Sequence, residues 1–163
     1  MTFELLNPPE YMITNKAGDK AYLTANIFYA IPGNVFKETD NTKSVNSMKT
    51  AVFKKKRLVE YAKNWLFAEI GKSQPWGGRW FSEYPLDVQI IVCNNKTNNW
   101  DIDNKGYFWC KVLLDLLRSK NAIPEDHVRV ISSILLRYEK SDVSKLKIMI
   151  SKDLNFKSNE LFS

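Results

Sequence analysis

The sequence predicts a small α+β domain, a mixed sheet with two helices on one face, and three observations lead there. Short runs rich in β-formers, "ANIFYAI", "LDVQIIVC", "HVRVISSILLRYE" and "KLKIMIS", are interleaved with two segments of helical period. Their order reads β-α-β-α-β-β, the pattern of helices packed on a small sheet. The chain has 163 residues and is 44% hydrophobic, enough for one core and one domain.

In chain order, residues 1–23 show no clear period and contain Pro8, Pro9 and Gly18. They read as an amino-terminal extension, packed on a core of 24–152 or partly mobile. "ANIFYAI", 25–31, is a strand closed by Pro32-Gly33. In "FKKKRLVEYAKNWLFAEIG", residues Leu58, Tyr61, Ala62, Trp65, Leu66, Glu69 and Ile70 recur at threes and fours, with Gly71 as the stop. The other face of that helix carries Lys54, Lys55, Arg57 and Lys63. "GKSQPWGGRWFSEYP", 71–85, is an irregular connection, and "LDVQIIVC", 86–93, is a strand followed by the polar "NNKTNN". A second helix runs from about Asn104 to Lys120, where "NAIPED" breaks it. Residues 127–139 and 145–151 read as two strands of a hairpin turned at "KSDVS". The tail 153–163 carries no pattern.

No run is apolar for long enough to span a bilayer. "MTFELLNPPEY" lacks the basic head and small-residue cleavage site of a secretory signal, so a soluble intracellular protein is expected. Cys93 and Cys110 have no metal-ligand spacing and read as reduced and buried. The single histidine, His127, has no partner at ligand spacing, so zinc chemistry is disfavoured and any metal would be held by oxygens. The net charge of +6 favours an anionic partner. Most of it sits in residues 37–57, where Lys37, Lys43, Lys49, Lys54, Lys55, Lys56 and Arg57 face two acids, a local +5. The basic charge is one patch rather than a general coating, and it does not say which anion it meets.

The chemistry is concentrated in "NNWDIDNKGYFWC", 98–110. If 99–103 continues the extended chain, alternation turns Asp101 and Asp103 to one side. Their mutual repulsion is relieved by a hard divalent cation, for which magnesium is the natural candidate. The helix beginning at Asn104 points its free N–H groups at the same spot, a ready phosphate site. A plainer reading stands beside this one: Asp103 or Asn104 caps the helix, and Asp101 is a solvated loop residue. Lys111, Asp115 and Arg118 share a stripe with Asp103 on an otherwise apolar helix, and Lys111 and Asp115 are also spaced as an i,i+4 ion pair. Phe108, Val112, Leu113, Leu114, Leu116 and Leu117 cover more of the helix than one sheet face hides, which predicts a further partner such as a second subunit.

"DIDN", then "KVLLD", then "AIPEDHVRV" resembles the RusA family of Holliday junction resolvases over residues 98–131. The family's pattern is an Asp-x-Asp-Asn, a nearby Lys, an Asp in the following helix and a further Asp before the next strand. The resemblance implies a RusA-like fold and a homodimeric, magnesium-dependent endonuclease that cuts four-way DNA junctions, acting in the cytoplasm of a bacterial cell or a phage-infected host. It implies Asp101, Asp103 and Asp126 as metal ligands and a lysine at the site. The lysine departs from the pattern. Its usual place holds Tyr107, so Lys111 or Lys105 takes the role, with Lys111 preferred; the interval from Asp103 to Asp115 is about one helical turn longer than in the family. A helix of roughly 25 Å separates Asp103 from Asp126. The expectation is therefore that two such helices pack antiparallel across a two-fold axis, so that Asp126 completes the site of the other chain. Two other functions compete: a DNA-binding module without catalysis, using the same basic patch, and a magnesium enzyme acting on a nucleotide-sugar, for which no second nucleotide signal is present.

Overall fold

The alternation in "LDVQIIVCN" decides the architecture, because one face of that strand is apolar along its whole length. In the computed structural model, which describes the backbone of residues 1–6, 11–14, 20–23, 55–95 and 102–157 and the side chains of 1–6, 59–95, 102 and 106–157, it forms β4 (Leu86–Asn94). Leu86, Val88, Ile90 and Val92 are buried on its core side. Such a strand has to lie inside a sheet, and it does: the order is β1-β6-β4-β5, with β1 at Thr2–Leu6, β5 at Ile131–Lys140 and β6 at Lys145–Lys152. β4 pairs parallel with β5 and antiparallel with β6, and β6 pairs antiparallel with β1. Strands β2 (Tyr11–Thr14) and β3 (Lys20–Leu23) form a separate antiparallel pair.

Three expectations change here. Within the first 23 residues the described stretches are strands: Phe3 and Leu5 of β1 enter the core opposite Ile148 and Leu146, an alternation short enough to go unnoticed in five residues. The strand expected from His127 begins at Ile131, because the amides of Val130 and Ile131 both donate to the His127 carbonyl, at 2.8 and 2.9 Å, and close a turn. β5 and β6 are not a hairpin, since β4 lies between them. The 141–144 link crosses over the end of β4, where the Ser141 amide donates to the Asn94 carbonyl at 2.8 Å. Two strand spacings are about 10 Å, within reach of such a link. The exchange is favourable because Leu146, Ile148 and Ile150 continue the apolar rows of Val92, Ile90 and Val88, whereas the exposed Ser133, Leu135 and Arg137 suit an outer strand. The strand expected at 25–31 lies outside the described residues.

Both long helices cover one face of this sheet, as expected. Helix α1 (Lys55–Gly71) buries Ala62, Trp65, Leu66 and Ile70; helix α2 (Ile102–Ser119) buries Phe108, Trp109, Val112, Leu113, Leu116 and Leu117 in the same cluster. Most of the apolar surplus of α2 is packed within the chain. The sheet takes part of it and α1 takes another, with Trp65 edge-on to Trp109 at 5.8 Å, while Leu114 stays only partly buried. The carboxyl end of α2 is a Schellman closure. Asn121 adopts φ 60°, its amide reaches the Arg118 carbonyl at 3.1 Å, and the Ala122 amide reaches Leu117 at 2.9 Å, with Ala122 and Leu117 both buried. Among the described residues, no helix is long and apolar enough to cross a membrane.

Candidate functional site

The direction of the helices fixes which residues can meet. Because β4 and β5 are parallel, α2 runs back against them and begins at the end where both strands finish, at Asn94 and Lys140. Helix α1 runs the same way as α2. Lys63 lies 3.9 Å from Asp115, and Lys120 sits over the Phe67 ring, 4.6 Å from its centroid. The segment after α1 meets the segment after α2, with the Trp80 amide on the Ala122 carbonyl at 3.0 Å and the Arg79 guanidinium on the Asn121 carbonyl at 3.1 Å. Both helices therefore begin at one end of the molecule, beside the carboxyl ends of β4 and β5. In open parallel α/β sheets the carboxyl ends of the strands are where ligands bind, and this mixed sheet has one such parallel pair. Two helix amino termini there add the positive ends of two dipoles.

Asp103 and Lys105 occupy that end, in the first turns of α2, and Lys55, Lys56 and Arg57 occupy it in the first turn of α1. Asp101, Lys37, Lys43, Lys49 and Lys54 lie outside the described residues. Helix α2 already begins at Ile102, so Asp103 and Asn104 belong to its first turn rather than to an extended chain leading into it. Strand alternation therefore does not relate Asp103 to Asp101. Tyr107, where the family pattern has its lysine, is on α2 and exposed.

Lys111 is engaged elsewhere. Its Nζ donates to Asp115 Oδ1 at 3.0 Å, the i,i+4 pair that the spacing allowed. The same carboxylate has Lys63 at 3.9 Å and Arg118 at 3.6 Å, and Arg118 continues to Asp126 at 3.7 Å. The structure thus gathers Lys63, Lys111, Asp115, Arg118 and Asp126 into one ion-pair chain toward the carboxyl end of α2. Lys63 is the member that the sequence did not offer, since a contact between two helices leaves no trace in the spacing of either.

Asp126 is consequently far from Asp103 within one chain. Positions 103 and 118 are about 22 Å apart along a helix axis, and Asp126 is held at the Arg118 end. Among the described residues, no group of three or more His, Cys, Asp or Glu side chains is placed to hold a metal ion. His127 pairs with Glu125, and its Nδ1 accepts from the Arg129 amide at 3.2 Å, so it serves the turn before β5.

Both cysteines are free and buried, as expected. Burial pushes the Cys110 thiol up to about 11, with Lys111 opposing and Asp115 adding slightly. Burial also raises Cys93, and Glu139, 3.9 Å from its sulfur, raises it further. Neither thiol is poised as a nucleophile. The chain matches no protein-family model and has no significant match among curated proteins.

Proposed function

We propose that this protein is a magnesium-dependent, structure-specific endodeoxyribonuclease of RusA type, resolving four-way junctions and related branched DNA. One observation of the fold supports this reading most: the parallel course of α1 and α2 brings the basic start of α1 and the Asp103 turn of α2 to the same end, beside the carboxyl ends of β4 and β5. Phosphate held by Lys55, Lys56, Arg57 and the two helix termini would then lie beside the paired aspartates. The remaining basic residues of 37–57 extend the contact along the DNA backbone.

Asp101 and Asp103 would hold the magnesium ion, and Asp126 would join them only from a second copy. Bound there, magnesium supplies an activated water and offsets charge on the scissile phosphate. A lysine would offset charge on the phosphate: Lys111, which also pairs with Asp115 at 3.0 Å, or Lys105, two residues after Asp103 in the chain. A homodimer in which two α2 helices cross antiparallel near Lys111 would place Asp103 of one chain alongside Arg118 and Asp126 of the other. Positions 103 and 118 are symmetric about that point, and Tyr107, Lys111, Leu114 and Arg118 form a partly exposed stripe at 4-3-4 spacing.

The test is a synthetic four-way junction incubated with purified protein and magnesium. Wild type should nick it, while Asp103→Asn and chelator should each abolish cleavage; a protein that binds the junction and never cuts it is instead the non-catalytic DNA-binding module. Mixing Asp103→Asn with Asp126→Asn chains tests the shared site, because only heterodimers would regain an intact one.

A further inference from the structure

The aromatic connection "GKSQPWGGRWFSEYP" has no part in the function proposed above, and the fold gives it an ordered surface. Phe67, near the end of α1, stacks on Trp76 with centroids 5.4 Å apart and planes 23° apart. Trp76 continues to Trp80 at 4.5 Å, and Trp80 reaches the buried Phe3 at 5.9 Å. The ladder runs from solvent into the core, so its outer rung is rigidly backed. Both indole planes are pinned by backbone acceptors, Trp76 Nε1 to the Phe67 carbonyl at 2.9 Å and Trp80 Nε1 to the Pro75 carbonyl at 3.1 Å. Trp76 packs beside Gly71, where a Cβ would make ordinary van der Waals contact with its Cδ1 at 3.4 Å.

Phe67 is 38% exposed, and its outer face carries the Lys120 ammonium, 4.6 Å from the centroid. Lys120 and Arg79 enter no ion pair among the described residues; Arg79 rests on the neutral Asn121 carbonyl at 3.1 Å. A preformed aromatic stack, an exposed terminal ring and two uncompensated cations beside it are what an unpaired base and its flanking phosphates require. An exposed cation–π contact is the weaker interaction, so a base can displace it.

We propose that this ladder is a stacking platform for an unpaired base of a single-stranded polynucleotide. The base takes the outer face of Phe67, and Lys120 and Arg79 move onto the adjoining phosphates. The platform lies at the end of the molecule opposite Asp103 and does not depend on the nuclease reading.

The test is equilibrium binding of the full chain to a fluorescein-labelled dT12 and to a blunt 12-base-pair duplex, both in chelator so that no cleavage intervenes. Phe67→Leu should weaken dT12 binding by about tenfold or more while leaving the duplex unchanged. Phe67→Trp should bind dT12 at least as tightly as wild type, which keeps the test informative if the leucine variant folds poorly. Lys120→Gln should weaken dT12 and lower the salt slope by about one. The proposal is overturned if dT12 does not bind, if Phe67→Leu and Phe67→Trp both match wild type, or if the leucine variant weakens single strand and duplex equally. Failure of junction cleavage would bear on the other proposal and leave this one standing.

Discussion

Replacing Asp115 by Asn separates a structural role from a catalytic one for the stripe on α2. The carboxylate is 17% exposed and accepts from Lys111 at 3.0 Å, with Lys63 and Arg118 at 3.9 and 3.6 Å. All three cations are more than a third exposed, so solvent screening keeps each contact small. The hydrogen-bonded i,i+4 pair contributes about 0.5 kcal/mol and the two longer contacts a few tenths each, roughly 1 kcal/mol for the carboxylate as a whole. With a urea m-value of about 2 kcal/mol/M for a domain of this size, the midpoint should fall by about 0.5 M. The loss should shrink in 0.5 M salt, where the Debye length is only about 4 Å. A double-mutant cycle with Lys111→Met should return a coupling of about 0.5 kcal/mol. Junction cleavage per folded molecule should be unchanged. An unchanged urea midpoint together with abolished cleavage would instead assign the Asp115 carboxylate to the reaction and not to the fold.

Further outcomes follow from the packing and the charge. Leu113, fully buried in the core cluster, should cost about 3 kcal/mol on truncation to Ala, read as a lower urea midpoint at unchanged slope. Asn121→Gly should match wild type or gain slightly in thermal stability, whereas Asn121→Val should lose about 1 kcal/mol or more, since φ 60° disfavours a β-branched residue. The folded Cys110 thiol ionises near 11 against an ordinary 9.0, so its contribution to stability is fully present below pH 9 and is lost as pH rises toward 11. Melting curves between pH 8 and 11 should show a steeper alkaline decline for wild type than for Cys110→Ala. Junction affinity should fall steeply between 50 and 200 mM salt, and replacing Lys55, Lys56 and Arg57 together by Gln should flatten that dependence.

Much of the fold is legible in the residues because burial writes its period into them. Ala62, Trp65, Leu66 and Ile70 mark α1, the continuous apolar row of β4 marks a central strand, and Leu146, Ile148 and Ile150 mark β6. The partner of each strand is not legible. "KSDVS" reads as a hairpin turn, and only the competition for β4's two edges shows that β6 takes one and β5 the other. The Lys111–Asp115 pair was visible as a spacing, but Lys63 and the link through Arg118 to Asp126 depend on two helices lying side by side.

The chemistry on offer is legible in the residues: carboxylates in place of paired thiols or imidazoles, a local excess of cations, and two aspartates one residue apart. These are properties of composition and neighbouring residues, which need no third dimension. Tertiary structure alone decided which of them can act together. The parallel course of α1 and α2 collects the basic start of one and the Asp103 turn of the other at one end. The length of α2, about 27 Å, carries Asp126 to the opposite end. Asp103 and Asp126 of one chain are thereby held apart, because a rigid helix cannot bring its own ends together.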